Sequence, residues 1–228
     1  MKTIGKSIIL CITMYALVVG ATAQTSWKLS RDLLATNNQI SFNQGASGVW
    51  YFLQSGSFRH KPNTYELLPA YSEPCMGDAT GNLIDGLGCW QNPIPDSGTN
   101  RVPLVAVNFT YKTQVTKNFG IPSRSVTMHP SSQGLAIIGW KSPITGTVDI
   151  TGYFSDIDPT CDNGVIWSVD KGSRTLTSGT IPNGGPPQSF SLAGVPLAAG
   201  QVLYFTVDPN HGDYACDSTG VDITIKLK

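Results

Sequence analysis

The chain is short of the residues on which catalysis is usually built. Charged side chains make up 13% of its 228 residues, and glutamate occurs only at Glu66 and Glu73. Histidine occurs at His60, His129 and His211 alone. There is no Gly-x-Ser-x-Gly elbow, no His-Glu-x-x-His pair and no phosphate-binding glycine loop, so the common hydrolase, zinc-protease and nucleotide-binding signatures are absent. Two aspartates could serve a glycosidase, but no pair stands apart from the rest. His129, before Pro130 at a strand entry, reads as a structural residue rather than a base. No catalytic residue is assigned.

No Cys-x-x-Cys pair occurs either, which speaks against zinc–thiolate ligation. Fifteen basic residues balance fifteen acidic ones, so no excess of charge draws the chain to nucleic acid or an anionic membrane. Beyond residue 23 no apolar run is long enough to span a bilayer, and the ending Ile223-Thr-Ile-Lys-Leu-Lys228 is no lipid-anchor tail.

What is present begins with a leader. Lys2 and Lys6 precede the apolar run Ser7–Val19, and Ala21-Thr-Ala23 is a small-x-small site. This predicts a signal peptide over 1–23, cleaved after Ala23, and a secreted, extracellular protein. The remainder, 24–228, is read as one domain with a polar N-terminal arm over 24–38. Cys11 leaves with the leader, and Cys75, Cys89, Cys161 and Cys216 remain. An even number in a secreted chain predicts two disulfides. Three connectivities exist, and Cys75–Cys89 with Cys161–Cys216 is favoured because one closes a short glycine-rich loop and the other joins two loops that follow strands. Asn108-Phe-Thr110 is an N-glycosylation sequon.

Strand signals recur every 8–12 residues, and no long helical period is found. Val148, Ile150 and Phe154 alternate with Thr147, Asp149, Thr151 and Tyr153. Val202–Val207 is apolar almost throughout, and Val221, Ile223, Ile225 and Leu227 alternate with polar residues to the end. Weaker signals fall at Gln39–Asn43, Val49–Gln54, Thr64–Leu68 and Arg101–Thr110, where Pro103 points to a sheet edge or a position near a strand start. Ser30 reads as the cap of a short helical turn. Tyr71–Asn100, rich in Gly, Pro, Asn and Asp, reads as a long surface loop. The expected fold is an all-β, jelly-roll-like antiparallel β-sandwich of roughly ten to twelve strands, stapled by disulfides.

One set of residues carries a resemblance: His129-Pro130, Gly139-Trp140, Ser142-Pro143, Gly146, Val148, Asp156, Asp158, Gly164-Val165, Trp167, Ala198-Ala-Gly200, Leu203-Tyr-Phe205, Val207 and Cys216-Asp-Ser-Thr-Gly220. Over about the last hundred residues the chain resembles a jelly-roll domain of secreted bacterial proteins, similar to galactose-binding-like carbohydrate-binding modules. The resemblance implies fold and carries over no catalytic residues.

Two constellations follow. Asp156, Asp158 and Asp162 lie in one loop and Asp208, Asp213 and Asp217 in another, with Asn163 and Asn210 beside them. Tied by Cys161–Cys216, they could supply hard oxygen ligands to a structural Ca²⁺; the alternative is that they are turn-formers bonding local backbone. The second is aromatic. Trp90, with Gln91 and Asn92, and Tyr214 are read as sugar platforms in loops, and Tyr153 as a residue of the polar face; Trp140 and Trp167 are read as core. The leading reading is a secreted, non-enzymatic, lectin-like protein whose partner is an extracellular glycan. The alternative is a structural subunit of an extracellular filament, coat or adhesive assembly, exchanging its arm or the Arg101–Thr110 edge with neighbouring subunits. A polysaccharide-active enzyme comes third.

Overall fold

The alternation around Val148 becomes an eleven-residue strand, Gly146–Asp156, with Val148, Ile150 and Phe154 fully buried and Thr151 and Tyr153 exposed. Strands of this kind build the whole molecule. The computed structural model describes residues 24–34, 48–72, 74–76, 83–92, 94, 96, 101–116, 119–161 and 163–228. In chain order the elements are β1 (Ser26–Lys28), α1 (Leu29–Leu34), β2 (Trp50–Gln54), β3 (Glu66–Leu67), β4 (Ala70–Ser72), β5 (Cys75–Met76), β6 (Leu83–Ile84), β7 (Leu87–Gln91), β8 (Leu104–Asn108) and β9 (Gln114–Val115). They continue with β10 (Gly120–Ile121), β11 (Val126–His129), β12 (Ala136–Lys141), β13 (Gly146–Asp156), β14 (Val165–Lys171), β15 (Arg174–Ile181), β16 (Gln188–Leu197), β17 (Val202–Asp208) and β18 (Thr219–Leu227).

Two antiparallel sheets carry the fold. The eight-stranded sheet runs β16-β13-β18-β11-β8-β7-β4, and β1 pairs with the far half of β18. The six-stranded sheet runs β15-β14-β17-β12-β2-β3. Their inner faces meet through aromatic rings. Phe52 stacks on Trp90 at 4.1 Å, Phe154 on Trp167 at 5.1 Å, and Trp27 meets Trp140 edge-on at 5.2 Å. Each pair joins one sheet to the other, and such contacts add about 0.5–1.5 kcal/mol beyond area burial. The all-β sandwich is therefore as expected. Its strand count is higher, because several two- to five-residue strands lie within 70–91, most of which reads as loop, and within 114–121. Both favoured disulfides form, with Cα–Cα distances of 5.3 Å for Cys75–Cys89 and 5.6 Å for Cys161–Cys216.

Four expectations are corrected. Arg101–Thr110 is no edge: β8 sits between β7 and β11, and all five of its residues are buried. The described part of the polar arm, residues 24–34, is docked. Trp27, Leu29, Leu33 and Leu34 join the core. Ser30 donates its backbone and hydroxyl hydrogens to Asp222 at 3.1 and 2.9 Å, fastening α1 to β18 instead of capping it. Asn108 is fully buried, and its amide nitrogen faces the carbonyls of Lys112, Ile121 and Pro122 at 2.9–3.0 Å. A glycan would replace one of the two amide hydrogens at a fully buried nitrogen, so the folded chain does not present this sequon to solvent. The leader 1–23 and the strand expected at Gln39–Asn43 lie outside the described residues. Among the described residues no helix is long and apolar enough to cross a membrane.

Candidate functional site

The acidic loops turn their carboxylates onto their own backbone. Asp156 accepts from the Asp158 amide at 2.8 Å and from the Gly184 amide at 2.7 Å. Asp158 accepts from the Thr160 hydroxyl at 2.7 Å, and Asp208 from the Asn210 amide at 2.9 Å. Burial raises the pKa of both Asp158 and Asp208. Asp213 is exposed and Asp217 is buried, while Asp162 lies outside the described residues. Among the described residues no three His, Cys, Asp or Glu side chains converge as a metal site. Asp156, Asp158 and Asp208 act as turn-formers, each with a carboxylate oxygen engaged by a nearby amide or hydroxyl.

The aromatic platforms are mostly core. Trp90 is 1% exposed, stacked on Phe52 and edge-on to Tyr71. Gln91, its neighbour in β7, is buried as well. Both expectations fail because the segment read as loop is an interior strand held by Cys75–Cys89. Asn92 closes a local turn, accepting from the Ile94 amide at 3.1 Å. Tyr214 is half-buried, its ring 6.1 Å from that of His129. His129 points Nδ1 at the Pro130 carbonyl, 2.8 Å away, and burial lowers its pKa.

Tyr153 is different. It is 39% exposed on the outer face of the eight-stranded sheet. Pairing places Ser189 opposite it on β16 and Asp222 opposite it on β18; Thr151 has Ser191 and Thr224 in the same positions. Lys28 reaches Asp222 at 3.3 Å. Burial, then the Asp222 charge, raises the Tyr153 pKa, so the phenol keeps its proton at neutral pH. A ring, several hydroxyls and one ion pair thus share a flat, solvent-facing patch. Such a patch can take the apolar face of a sugar on the ring and its hydroxyls on the flanking groups.

Next to this patch the sandwich opens at its side. β15 and β16 are the end strands of the two sheets. Gln188 bridges them at one end: its amide donates to the Thr180 carbonyl at 2.6 Å, and its oxygen accepts from the Trp167 indole at 3.0 Å. At the other end Lys171, the last residue of β14, reaches across to β16, donating to the Pro196 carbonyl at 2.5 Å. Between the bridges lies an open groove of about 760 Å³. Its walls include Leu176 and Leu192, and its cations are Lys171 and Arg174.

A third polar group lies over the outer face of the six-stranded sheet. His60 Nδ1 is 2.7 Å from Asp170 Oδ2, and Ser168 donates to the same oxygen at 2.9 Å. Ser168 and Thr206 share a 2.7 Å contact. The hydrogen bond that His60 donates to Asp170 raises its pKa. This is no nucleophile relay. A serine base needs one imidazole nitrogen on the carboxylate and the other on the hydroxyl, whereas Ser168 approaches the same Nδ1, at 3.4 Å. The group fastens the 55–65 segment onto the sheet.

The chain matches no protein-family model and no curated protein. It is similar to β-sandwich carbohydrate-binding modules. One is the CBM51 module of a Clostridium perfringens GH95 protein in complex with methyl-galactose, at a TM-score of 0.40 and 9% identity, covering 89% of this chain and 100% of that one. Another is a CBM36 module in complex with calcium and xylotriose, at 0.29 and 14%, covering 47% and 82%. A third is the C-terminal CBM6 of LamC from Zobellia galactanivorans, at 0.28 and 17%, covering 45% and 78%.

Sequence reasoning placed Tyr153 on the polar face, where it is exposed, and gave no sign of the groove. Lys171 and Arg174 flank the two-residue turn Gly172-Ser173, where Gly172 takes φ +59°. Two cations bracketing so short a hairpin are visible in the sequence. That this hairpin borders an open side of the sandwich is not.

Proposed function

We propose that the protein is a secreted, non-enzymatic carbohydrate-binding β-sandwich whose glycan lies on the outer face of the eight-stranded sheet across Tyr153. The observation that carries this reading is the exposed ring set between Ser189 and Asp222, with Thr151 and Thr224 one pleat along. Flat aromatic surface supplies contact to sugar C–H groups at little cost in side-chain entropy, and fixed hydroxyls and carboxylates supply directional bonds. The two disulfides support an oxidising, extracellular setting. The filament-subunit reading finds less support, because the two elements it would exchange, residues 24–34 and β8, are already paired within the chain.

A glycan array with the wild type and Tyr153→Ala tests the reading. Wild-type hits should fall at least tenfold in the variant while its melting temperature stays within a few degrees, because the ring is largely solvent-facing. An array with no wild-type hits, or hits indifferent to Tyr153→Ala, removes it.

A further inference from the structure

The side groove raises a question that Tyr153 does not answer. Register places Lys171 and Arg174 directly opposite each other across the β14–β15 turn. Like charges in that position destabilise a hairpin. Among the described residues neither cation has an ion-pair partner, and no acidic residue is among those lining the groove. Asp149, on the neighbouring strand β13, accepts from the amide of the lining residue Gly194 at 2.7 Å. There Gly194 takes φ +68° close to the register shift of β13 against β16. Lys171 is held in place through Pro196, and Arg174 is exposed. Two like charges that no described carboxylate neutralises, at the mouth of a groove of ligand size, have the charge complementarity of an anion site. The guanidinium fork of Arg174 suits a carboxylate or sulfate. Leu176 and Leu192 offer apolar wall to a sugar ring. Ser189 and Ser191 of the Tyr153 patch and the groove-lining residues 192–196 belong to one strand, β16, so one chain of sugars can pass from patch to groove.

We propose that the groove between β15 and β16 is a subsite for an acidic sugar, a uronate or a sulfated residue, held by Lys171 and Arg174. The inference rests on the glycan-binding reading above and adds the class of glycan.

Calorimetry on the full chain separates the two. The probes are trigalacturonate, a sulfated chondroitin tetrasaccharide, the neutral galactose trisaccharide and polyglutamate. At least one acidic saccharide should bind tenfold or more tighter than the neutral one, and that margin should shrink as salt rises from 50 to 500 mM. The double variant Lys171→Gln/Arg174→Gln should erase the margin; because Lys171→Gln also breaks the bridge to Pro196, Arg174→Gln alone, which removes no described hydrogen bond, should shrink the margin at an unchanged melting temperature. Arg174→Glu should weaken the acidic probe further. Equal affinity for neutral and acidic sugars, or a margin that survives the double variant, overturns the acidic subsite and leaves the glycan reading standing. Polyglutamate bound as well as the acidic sugars makes the groove a general anion site and overturns the assignment to glycans. Binding of none of the saccharides overturns both.

Discussion

Trp90 and Tyr153 show how one residue type can take opposite roles. Both are aromatic and both stand in β-strands. Tyr153 lies in a strand whose alternation is legible, so its outward side follows from period two. Trp90 follows Cys89 in a segment dense in turn-formers, and only the pairing of β7 with β8 and β4 makes it interior. Trp90→Ala is therefore expected to act on stability. Removing a fully buried indole from between Phe52 and Tyr71 should cost about 3–5 kcal/mol, read as a lower urea midpoint, with saccharide affinity of the folded protein unchanged. A variant that kept its midpoint and lost affinity would return Trp90 to the binding surface.

Among the elements, the two disulfides hold what the sheets do not. Cys161–Cys216 closes a separation of 55 residues and joins the loops after β13 and β17. In the chain-entropy account a loop of that size contributes about 4 kcal/mol by restricting the unfolded chain. Replacing both cysteines by serine should lower stability by about that amount in urea titration, with the acidic loops loosened first. A loss well under 1 kcal/mol would mean that β13, β17 and β18 fix those loops unaided. The bond pairing was readable from spacing and from the strands preceding each cysteine. The behaviour of the acidic residues between them was not, because Asp and Asn serve turns and cations with the same oxygens. Only the positions of the partner amides, such as Gly184 on Asp156, distinguish the two uses.

For the whole molecule, two histidines on different parts of the sandwich make stability depend on pH around the neutral range. His60 has its pKa raised above the ordinary 6.5, by its hydrogen bond to Asp170 and by the charges of Asp170 and Asp208. Its contribution is complete below pH 6.5 and is lost as pH rises through the folded value. His129 is held neutral by burial, with a pKa below 6.5. Its contribution is complete above 6.5 and is lost as pH falls through the folded value. Together they predict a stability maximum near pH 6.5 in thermal melts. His60→Gln should flatten the alkaline limb and His129→Gln the acid limb. A curve unchanged by both substitutions would contradict the assignment. By itself the sequence determined the class of the fold, its disulfide pairing and the outward side of Tyr153. Each rests on spacing or alternation along one strand, which local chemistry controls. Tertiary structure decided which strands lie at edges, which carboxylates are already satisfied, and that Lys171 and Arg174 border an open groove. Those depend on non-local strand order, since a strand's neighbours are chosen by the packing of the whole sandwich and leave no local mark on its residues.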